Sequence, residues 1–256
     1  MAESAVQVAE EWNTRALSLG RMAVCSSGDG METTSNRWRI AAPLENGTDI
    51  GIFDGTGTLC TTVSPTPSTA GGLMTRTGGM AMACSWLDGS NKLSVAYDDG
   101  LVRCYDTAAS GSTCLFTYTP SKETQTCTAL CCMAQHSPDN METSWRCVLG
   151  TAGSHVSVFD VDSSGSHPTE QADITLQREG VSDIAVRRYD GKVFATAGWD
   201  HRVRLFALGC GTHSKIRPLA VLRFHSESVT SVDFGPRDGL LASGSRDTRI
   251  ALWKLY

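Results

Sequence analysis

One strand pattern that recurs five times limits what this chain can fold into. Each copy alternates apolar and polar residues and ends in an aromatic residue, and the copies lie 47 to 54 residues apart. This period of two is that of a β-strand with two different faces. The five aromatic residues are Phe53, Tyr105, Phe159, Phe206 and Trp253. A strand that returns every ~50 residues indicates a chain of repeated β units.

The first four units each contain four strand-like segments, the aromatic-ended one being the third, and the fifth unit contains the first three. The pairs Asn46-Gly47 and Asp99-Gly100 lie between the second and third segments and are typical of hairpin turns, because both residues tolerate positive φ. Four antiparallel strands every ~50 residues make one blade of a β-propeller. The sequence therefore predicts an all-β protein, one propeller domain over 1–256 with five visible four-stranded blades. The expected blades are 10–63, 79–119, 126–176, 180–222 and 228–256.

Charge and cysteine content narrow the class of partner. The net charge is −5 and no block of Lys or Arg occurs, so direct contact with nucleic acid or an anionic membrane is not expected. The apolar stretches are strand-sized, too short to cross a bilayer. The ten cysteines include no CxxC pair and no zinc-finger spacing. We expect buried free thiols in a reducing compartment, and neither a metal nor a cofactor.

The last unit contains a serine, a histidine and an aspartate that could be mistaken for a catalytic triad. They are His225, Ser243 and Asp247, with Trp253 following in the third strand. Ser243 falls in the middle of a predicted strand, without the G-x-S-x-G turn that exposes a nucleophile. A buried carboxylate is costly unless it is paired, and His225, Ser243 and the Trp253 indole can complete a hydrogen-bonded chain. We therefore predict a structural tetrad and no enzyme activity.

The spacing of this set resembles that of the WD-repeat family. Its intervals are 18, 4 and 6 residues, from histidine to serine to aspartate to tryptophan. The resemblance implies a hydrogen-bonded tetrad and extends to a partial one in the fourth unit, where Thr196, Asp200 and Phe206 hold three of the four positions. Gly153 and Gly47 stand at the aspartate position of the third and first units. Only the last tetrad is complete.

The segment from Phe194 to Tyr256 resembles a narrower group, the ASTRA-associated WD-repeat proteins. These are similar to the animal guanine nucleotide-binding protein beta-subunit-like proteins, and "AGWDHR" followed by "PLAVL" carries most of the likeness. The resemblance implies a non-enzymatic scaffold of the nucleus and cytoplasm. Its implied partners are the cochaperone complex that matures phosphatidylinositol-3-kinase-related kinases, the kinase clients themselves, and RuvB-like ATPases in chromatin-linked assemblies.

The family also bears on how the ring closes. Its expected architecture is a ring of seven blades, so we predict about two further blades encoded before Met1. In that case residues 4–9, SAVQVA, form the outer strand of a neighbouring blade. The alternative is a ring of five, in which the same residues supply the outer strand of the fifth blade and remove an exposed sheet edge.

Two neighbouring turns supply the candidate partner-binding face. In WD-repeat propellers the residue before the turn aspartate points outward, which places Trp199 and Arg246 on one face. Tryptophan and arginine are enriched among binding hot spots. The alternative for Trp199 is packing over its own blade. A different role, substrate receptor of a ubiquitin ligase, is suggested by the WDxR string at residues 199–202, although that motif belongs after the third strand.

Overall fold

In the part of the chain that the structure describes, nineteen β-strands form five antiparallel sheets that follow one another in sequence. The computed structural model describes residues 22–26, 38–65, 79–108, 112–120, 125–136, 143–209, 215–236 and 239–255, and every regular element in these ranges is a strand. Because each sheet is made of consecutive strands, each is a local meander. The predicted all-β fold built from WD-repeat propeller blades is confirmed.

The sheets are numbered in chain order. Sheet 1 contains β1 (Ala23–Ser26), β2 (Trp38–Pro43), β3 (Ile50–Asp54) and β4 (Leu59–Val63), and sheet 2 contains β5 (Ala81–Trp86), β6 (Lys92–Tyr97), β7 (Val102–Asp106) and β8 (Thr113–Tyr118). Sheet 3 contains β9 (Cys127–His136), β10 (Thr143–Thr151), β11 (His155–Val161) and β12 (Pro168–Thr175). Sheet 4 contains β13 (Val181–Val186), β14 (Val193–Gly198), β15 (Arg202–Ala207) and β16 (Arg217–Arg223), and sheet 5 contains β17 (Val229–Phe234), β18 (Leu240–Ser245) and β19 (Ile250–Lys254).

Sheet 5 has three strands among the residues described. The predicted outer strand at 4–9 and the start of the first predicted blade, 10–21, lie outside those residues. The face of sheet 5 that points away from sheet 4 carries Ile250 and Leu252, which are 77% and 72% exposed. The strand pairing places the exposed Ser231 and Asp233 on the same face. The number of blades in the ring, and the blade boundaries, stay predictions.

The hydrophobic core lies between the sheets. Four clusters of buried apolar side chains each join two sheets that are consecutive in the chain. Hydrogen bonds between first strands support this packing: Ser85 Oγ accepts from the Cys132 backbone N–H at 3.0 Å, and Asp183 Oδ2 accepts from that of Val232 at 2.9 Å. Burial of the alternating apolar residues therefore aligns β5 with β9 and β13 with β17.

The turns between the second and third strands of sheets 1, 2, 4 and 5 share one geometry. The residue after the turn Asp or Asn has positive φ, and it is Gly47 or Gly100 in sheets 1 and 2 but His201 (φ 68°) and Thr248 (φ 66°) in sheets 4 and 5. Although Asn46 and Asp99 tolerate positive φ, neither adopts it. Their side chains cap the turn instead. Asn46 Oδ1 accepts a hydrogen bond from the backbone N–H of Thr48, and Asp99 Oδ1 accepts one from the backbone N–H of Leu101. Asn46, not Gly47 as predicted, is thus the turn residue equivalent to aspartate in sheet 1.

The cysteines in the described residues are free thiols, and most are buried. Cys132 lies directly opposite Cys147 in the β9–β10 pairing, and both are 0% exposed. Burial raises the pKa of Cys104 and of Cys127 to about 12, so these thiols stay protonated and unreactive. Cys60 is exposed, which departs from the expectation of burial.

The described residues contain no group of three or more His, Cys, Asp and Glu side chains placed to hold a metal ion. In the same residues, no helix is long and apolar enough to span a membrane.

Candidate functional site

Sheet 5 brings the four predicted tetrad residues into one hydrogen-bonded chain. His225 precedes the first strand, Ser243 lies in β18, Asp247 in the following turn and Trp253 in β19. The Ser243 Oγ lies 2.9 Å from His225 Nε2 and accepts from the Trp253 indole N–H at 3.0 Å. The other ring nitrogen, His225 Nδ1, lies 3.0 Å from Asp247 Oδ2. The chain thereby connects the third strand to the segment that leads into the first.

The serine, histidine and aspartate are connected as in a hydrolase triad, but the serine is not accessible. Ser243 is 1% exposed, in the middle of a strand paired on both sides, and its Oγ already accepts from Trp253. A triad nucleophile needs an open path to its substrate and donors for the oxyanion. This geometry supports a structural role for the serine.

Asp247 is held in its charged form inside the tetrad. Burial opposes its ionisation, but the backbone N–H groups of Ser226 and Arg249 and the ring of His225 all contact its carboxylate, and together they lower its pKa to about 2. Its side chain is 3% exposed and that of His225 is 1% exposed. The Phe224 ring packs edge-on against His225 and Trp253, which shields the chain of hydrogen bonds from one side.

The partial tetrad expected in sheet 4 does not form. The Thr196 hydroxyl is buried and has no hydrogen-bond partner among the described residues, and Phe206 stacks on Phe194 with ring centroids 4.9 Å apart. Asp200 instead binds Arg204, whose two terminal nitrogens lie 2.9 and 2.6 Å from its carboxylate oxygens. Burial opposes ionisation of Asp200, but this guanidinium outweighs it and lowers the pKa of the carboxyl. An arginine of the third strand replaces the missing histidine.

Sheet 2 uses the same replacement. Arg103 lies four residues after Asp99, as Arg204 does after Asp200, and its Nη2 is 2.9 Å from Asp99 Oδ2. In sheet 3, where Gly153 stands at the aspartate position, His155 Nδ1 instead lies 2.8 Å from Asp173 Oδ1 on the outer strand. An Asp-x-x-x-Arg spacing across the turn was a sequence signal that could have predicted the Asp–Arg pairs of sheets 2 and 4. No comparable local spacing indicates the His155–Asp173 pair of sheet 3.

Trp199 packs against its own sheet on one side and is exposed on the other. Its ring lies against Gly180, so closely that a Cβ at that position would collide with the indole, and Gly180 has φ 89°. The Trp199 backbone N–H donates to the Gly180 carbonyl at 3.0 Å. Trp199 nevertheless remains 44% exposed. One side of the Trp199 ring therefore packs on its own sheet, and the other side is open to a binding partner.

Ser228 connects Trp199 to Arg246. Its hydroxyl donates to the Trp199 carbonyl at 2.9 Å, and its own carbonyl accepts from the Arg246 N–H at 3.0 Å. Trp199 and Arg246 thus lie at the same end of adjacent sheets with a single residue between them. Arg246 is exposed, and no hydrogen bond or ion pair joins its side chain to another described residue. We call the exposed surface around Trp199, Ser228 and Arg246 the Trp199 surface.

The WDxR string lies in a position that does not match a ligase-receptor motif. Residues 199–202 form the turn that precedes β15, the third strand of sheet 4, whereas the motif follows a third strand. Asp200 and Arg204 are engaged with each other, and only Trp199 of this group is a large exposed apolar side chain.

A cavity of about 820 Å³ lies at the opposite end of sheets 4 and 5. Its lining includes Arg188, Tyr189, Asp233 and Phe234. Arg188 is paired with Asp88 at 2.6 Å, and the lining includes no histidine, serine or cysteine that would act as base or nucleophile.

Comparison with known proteins shows which proteins with a similar repeat this chain resembles. Residues 216–254 match the family model described as "WD domain, G-beta repeat". The chain is 42% identical over 110 residues to mouse "Guanine nucleotide-binding protein subunit beta-like protein 1", an alignment that covers 43% of this chain and 31% of the relative. It is 47% identical over 77 residues to "ASTRA-associated protein 1" of Schizosaccharomyces pombe, covering 30% and 19% respectively.

A further relative carries a different name. "Histone acetyltransferase type B subunit 2" of Debaryomyces hansenii is 32% identical over 84 residues, covering 31% of this chain and 20% of the relative. Each of these three alignments spans less than a third of the relative's length. WD repeats imply interaction with other proteins. The predicted resemblance is confirmed: the chain carries a WD repeat at residues 216–254 within an all-β array of sheets, and it is related to ASTRA-associated and beta-subunit-like WD-repeat proteins.

Proposed function

We propose that this chain is a non-enzymatic protein-interaction scaffold, an adaptor of the ASTRA type. The observation that carries the proposal is a contrast in exposure at one end of sheets 4 and 5. Ser243, His225 and Asp247 are buried in a closed network, whereas Trp199 and Arg246 stand exposed on neighbouring turns. The triad-like groups of sheet 5 are thus inaccessible, and two residues of the types typical of binding hot spots are presented to solvent.

The finer role rests on similarity. Relatives named "ASTRA-associated protein 1" occur in several fungi, and the name "Histone acetyltransferase type B subunit 2" belongs to a chromatin enzyme's subunit. These names support an adaptor that belongs to a larger assembly. The role that we propose within it, in cochaperone-assisted maturation of phosphatidylinositol-3-kinase-related kinases and in chromatin-associated assemblies, is the one that the resemblance to the ASTRA-associated proteins implies. The proposed partners are the cochaperone complex, its kinase clients and RuvB-like ATPases. The proposed location is the nucleus and the cytoplasm, with no direct contact to nucleic acid or membrane.

Affinity purification of the tagged chain from cells, followed by mass spectrometry, tests this role. We expect RuvB-like ATPases, cochaperone subunits and kinase clients to be enriched over an untagged control. Cullin adaptors in their place would support a ubiquitin-ligase receptor instead. Enrichment of neither group would contradict the proposed role.

A further inference from the structure

The Trp199 surface carries an excess of positive charge on an acidic protein. Four exposed arginines lie at this end of sheets 4 and 5, against two exposed glutamates, although the whole chain has a net charge of −5. The arginines are Arg178, Arg223, Arg246 and Arg249, and the glutamates are Glu179 and Glu227. Arg202, opposite Arg223 in the β15–β16 pairing, is half-buried and lies 3.9 Å from the Asp200 carboxylate, so it is not counted with them. The surface therefore has the opposite sign to the chain as a whole, which makes it complementary to an acidic partner.

This excess arises because the turn carboxylates face inward. Asp200 is neutralised by Arg204, and Asp247 is enclosed by His225 and by two backbone N–H groups. Neither carboxylate is available to pair with Arg246 or Arg249 on the surface. Asp98 is the residue of sheet 2 at the position equivalent to Trp199 and Arg246, so this position is negative in sheet 2. Its backbone N–H donates to the Met80 carbonyl, just as the Trp199 N–H donates to Gly180 and the Arg246 N–H to Ser228. Sheet 2 thus carries a negative side chain at the position where sheet 5 carries Arg246.

Trp199 is held in a fixed position at this surface. Its backbone N–H binds the Gly180 carbonyl, its carbonyl accepts from Ser228, and its ring lies on Gly180, where there is no side chain. A ring that is fixed before binding loses little conformational entropy when a ligand packs on it. The exposed part of the indole is therefore a preformed platform for one apolar side chain.

We infer that the Trp199 surface binds an extended acidic segment of a partner protein, with one apolar side chain packed on Trp199 and carboxylates paired with Arg246 and its neighbouring guanidinium groups. This inference rests on the proposed scaffold function and adds the chemistry of the segment recognised. Bidentate pairing of arginine with carboxylates fixes the orientation of such a segment, and the platform fixes its register.

Fluorescence anisotropy with the full chain and a short labelled peptide tests the inference. The peptide is made of glutamate and serine with one central leucine. We expect saturable binding that weakens with salt, that is lost when lysine replaces glutamate, and that drops when serine replaces leucine. Arg246→Glu should weaken binding at least about tenfold, and Trp199→Ala by a similar factor.

Matched variants separate these effects from general damage. Arg217→Glu makes the same charge change at an exposed arginine at the opposite end of sheet 4, and Tyr189→Ala removes an aromatic ring that is 50% exposed. Both should bind the peptide as the unaltered chain does. Equal binding of the glutamate and lysine peptides, or no effect of Arg246→Glu, would overturn the inference. If purified partners survive Arg246→Glu, the inference fails while the scaffold function stands; if the unaltered chain recovers no partner, the function itself fails.

Discussion

The guanidinium of Arg204 holds the carboxylate of Asp200 through two hydrogen bonds, of 2.9 and 2.6 Å, and their side chains are only 8% and 14% exposed. In sheet 5 the carboxylate of the equivalent turn is held by His225. The two sheets therefore meet one requirement, a side-chain partner for a largely buried aspartate carboxylate, with different residues. The turn needs such a partner, and either an arginine or a histidine can provide it.

Arg204→Leu should destabilise the fold strongly, because it removes both short hydrogen bonds to the largely buried Asp200 carboxylate and leaves only the more distant Arg202 guanidinium to pair with it, at 3.9 Å. We expect a loss of about 3 kcal/mol in the free energy of unfolding, measured by urea denaturation. Arg188→Leu is the matched control: its ion pair with Asp88 is equally short, at 2.6 Å, but the side chains are 63% and 38% exposed. That variant should lose less than about 1 kcal/mol. Equal losses would show that burial does not determine the contribution of these pairs.

Ser243→Ala should cost about 1–3 kcal/mol, since it leaves the Trp253 indole and His225 without their shared partner. Ser231→Ala, on the exposed face of the same sheet, should change stability by less than about 0.5 kcal/mol. Both are measured by denaturant unfolding. Covalent labelling of Ser243 by a serine-directed hydrolase probe would contradict the structural role of this residue.

The stability contributed by Asp247 should depend on acid pH. Its pKa is about 2 in the folded chain against a usual value of 3.8, so the folded state binds fewer protons than the unfolded state between these values. The contribution is complete above about pH 4 and disappears as the pH falls through 2. Unfolding of the chain and of Asp247→Asn at a series of pH values measures this. The variant should be less stable above pH 4 and approach the unaltered chain towards pH 2, whereas a constant gap would refute the assignment.

Gly180→Ala should disturb the Trp199 surface as well as the backbone. An alanine there meets positive φ and would displace the indole from its position. Gly89→Ala has a similar φ, 74°, but its added Cβ meets open space, so it tests backbone strain alone. We expect both to lose about 1 kcal/mol or more of stability, and only Gly180→Ala to weaken partner recovery as well. Equal partner recovery by the two variants would show that the position of Trp199 is unimportant for binding.

Much of the fold follows from short-range pattern, which is why it could be predicted. The alternation before Phe53, Tyr105, Phe159, Phe206 and Trp253 reflects strands with two packed faces, and it holds whatever lies beside them. The tetrad of sheet 5 was predictable for a related reason, because its four residues lie at fixed intervals within one meander. Local spacing determines what one sheet can do by itself.

Contacts that alternative residues can satisfy were harder to predict. Thr196 and Asp200 occupy tetrad positions, yet the carboxylate is held by Arg204, with Arg202 at 3.9 Å, and the threonine hydroxyl stays buried without a partner among the described residues. The pairing of His155 with Asp173 joins a third strand to an outer strand, with a register set by a bulge between Val158 and Phe159. Such pairs depend on strand register and on which basic side chain reaches the carboxylate. The repeat pattern in the sequence gives no information on either.

The most direct test of the scaffold account is quantitative affinity purification with Trp199→Ala beside Tyr189→Ala. The two variants remove aromatic rings of similar exposure, 44% and 50%, from opposite ends of the same sheet. The account predicts similar melting temperatures for both, with partners lost from Trp199→Ala and retained by Tyr189→Ala. A large drop in the melting temperature of Trp199→Ala with its partners still bound would contradict it, because Trp199 would then be a packing residue and the interaction surface would lie elsewhere.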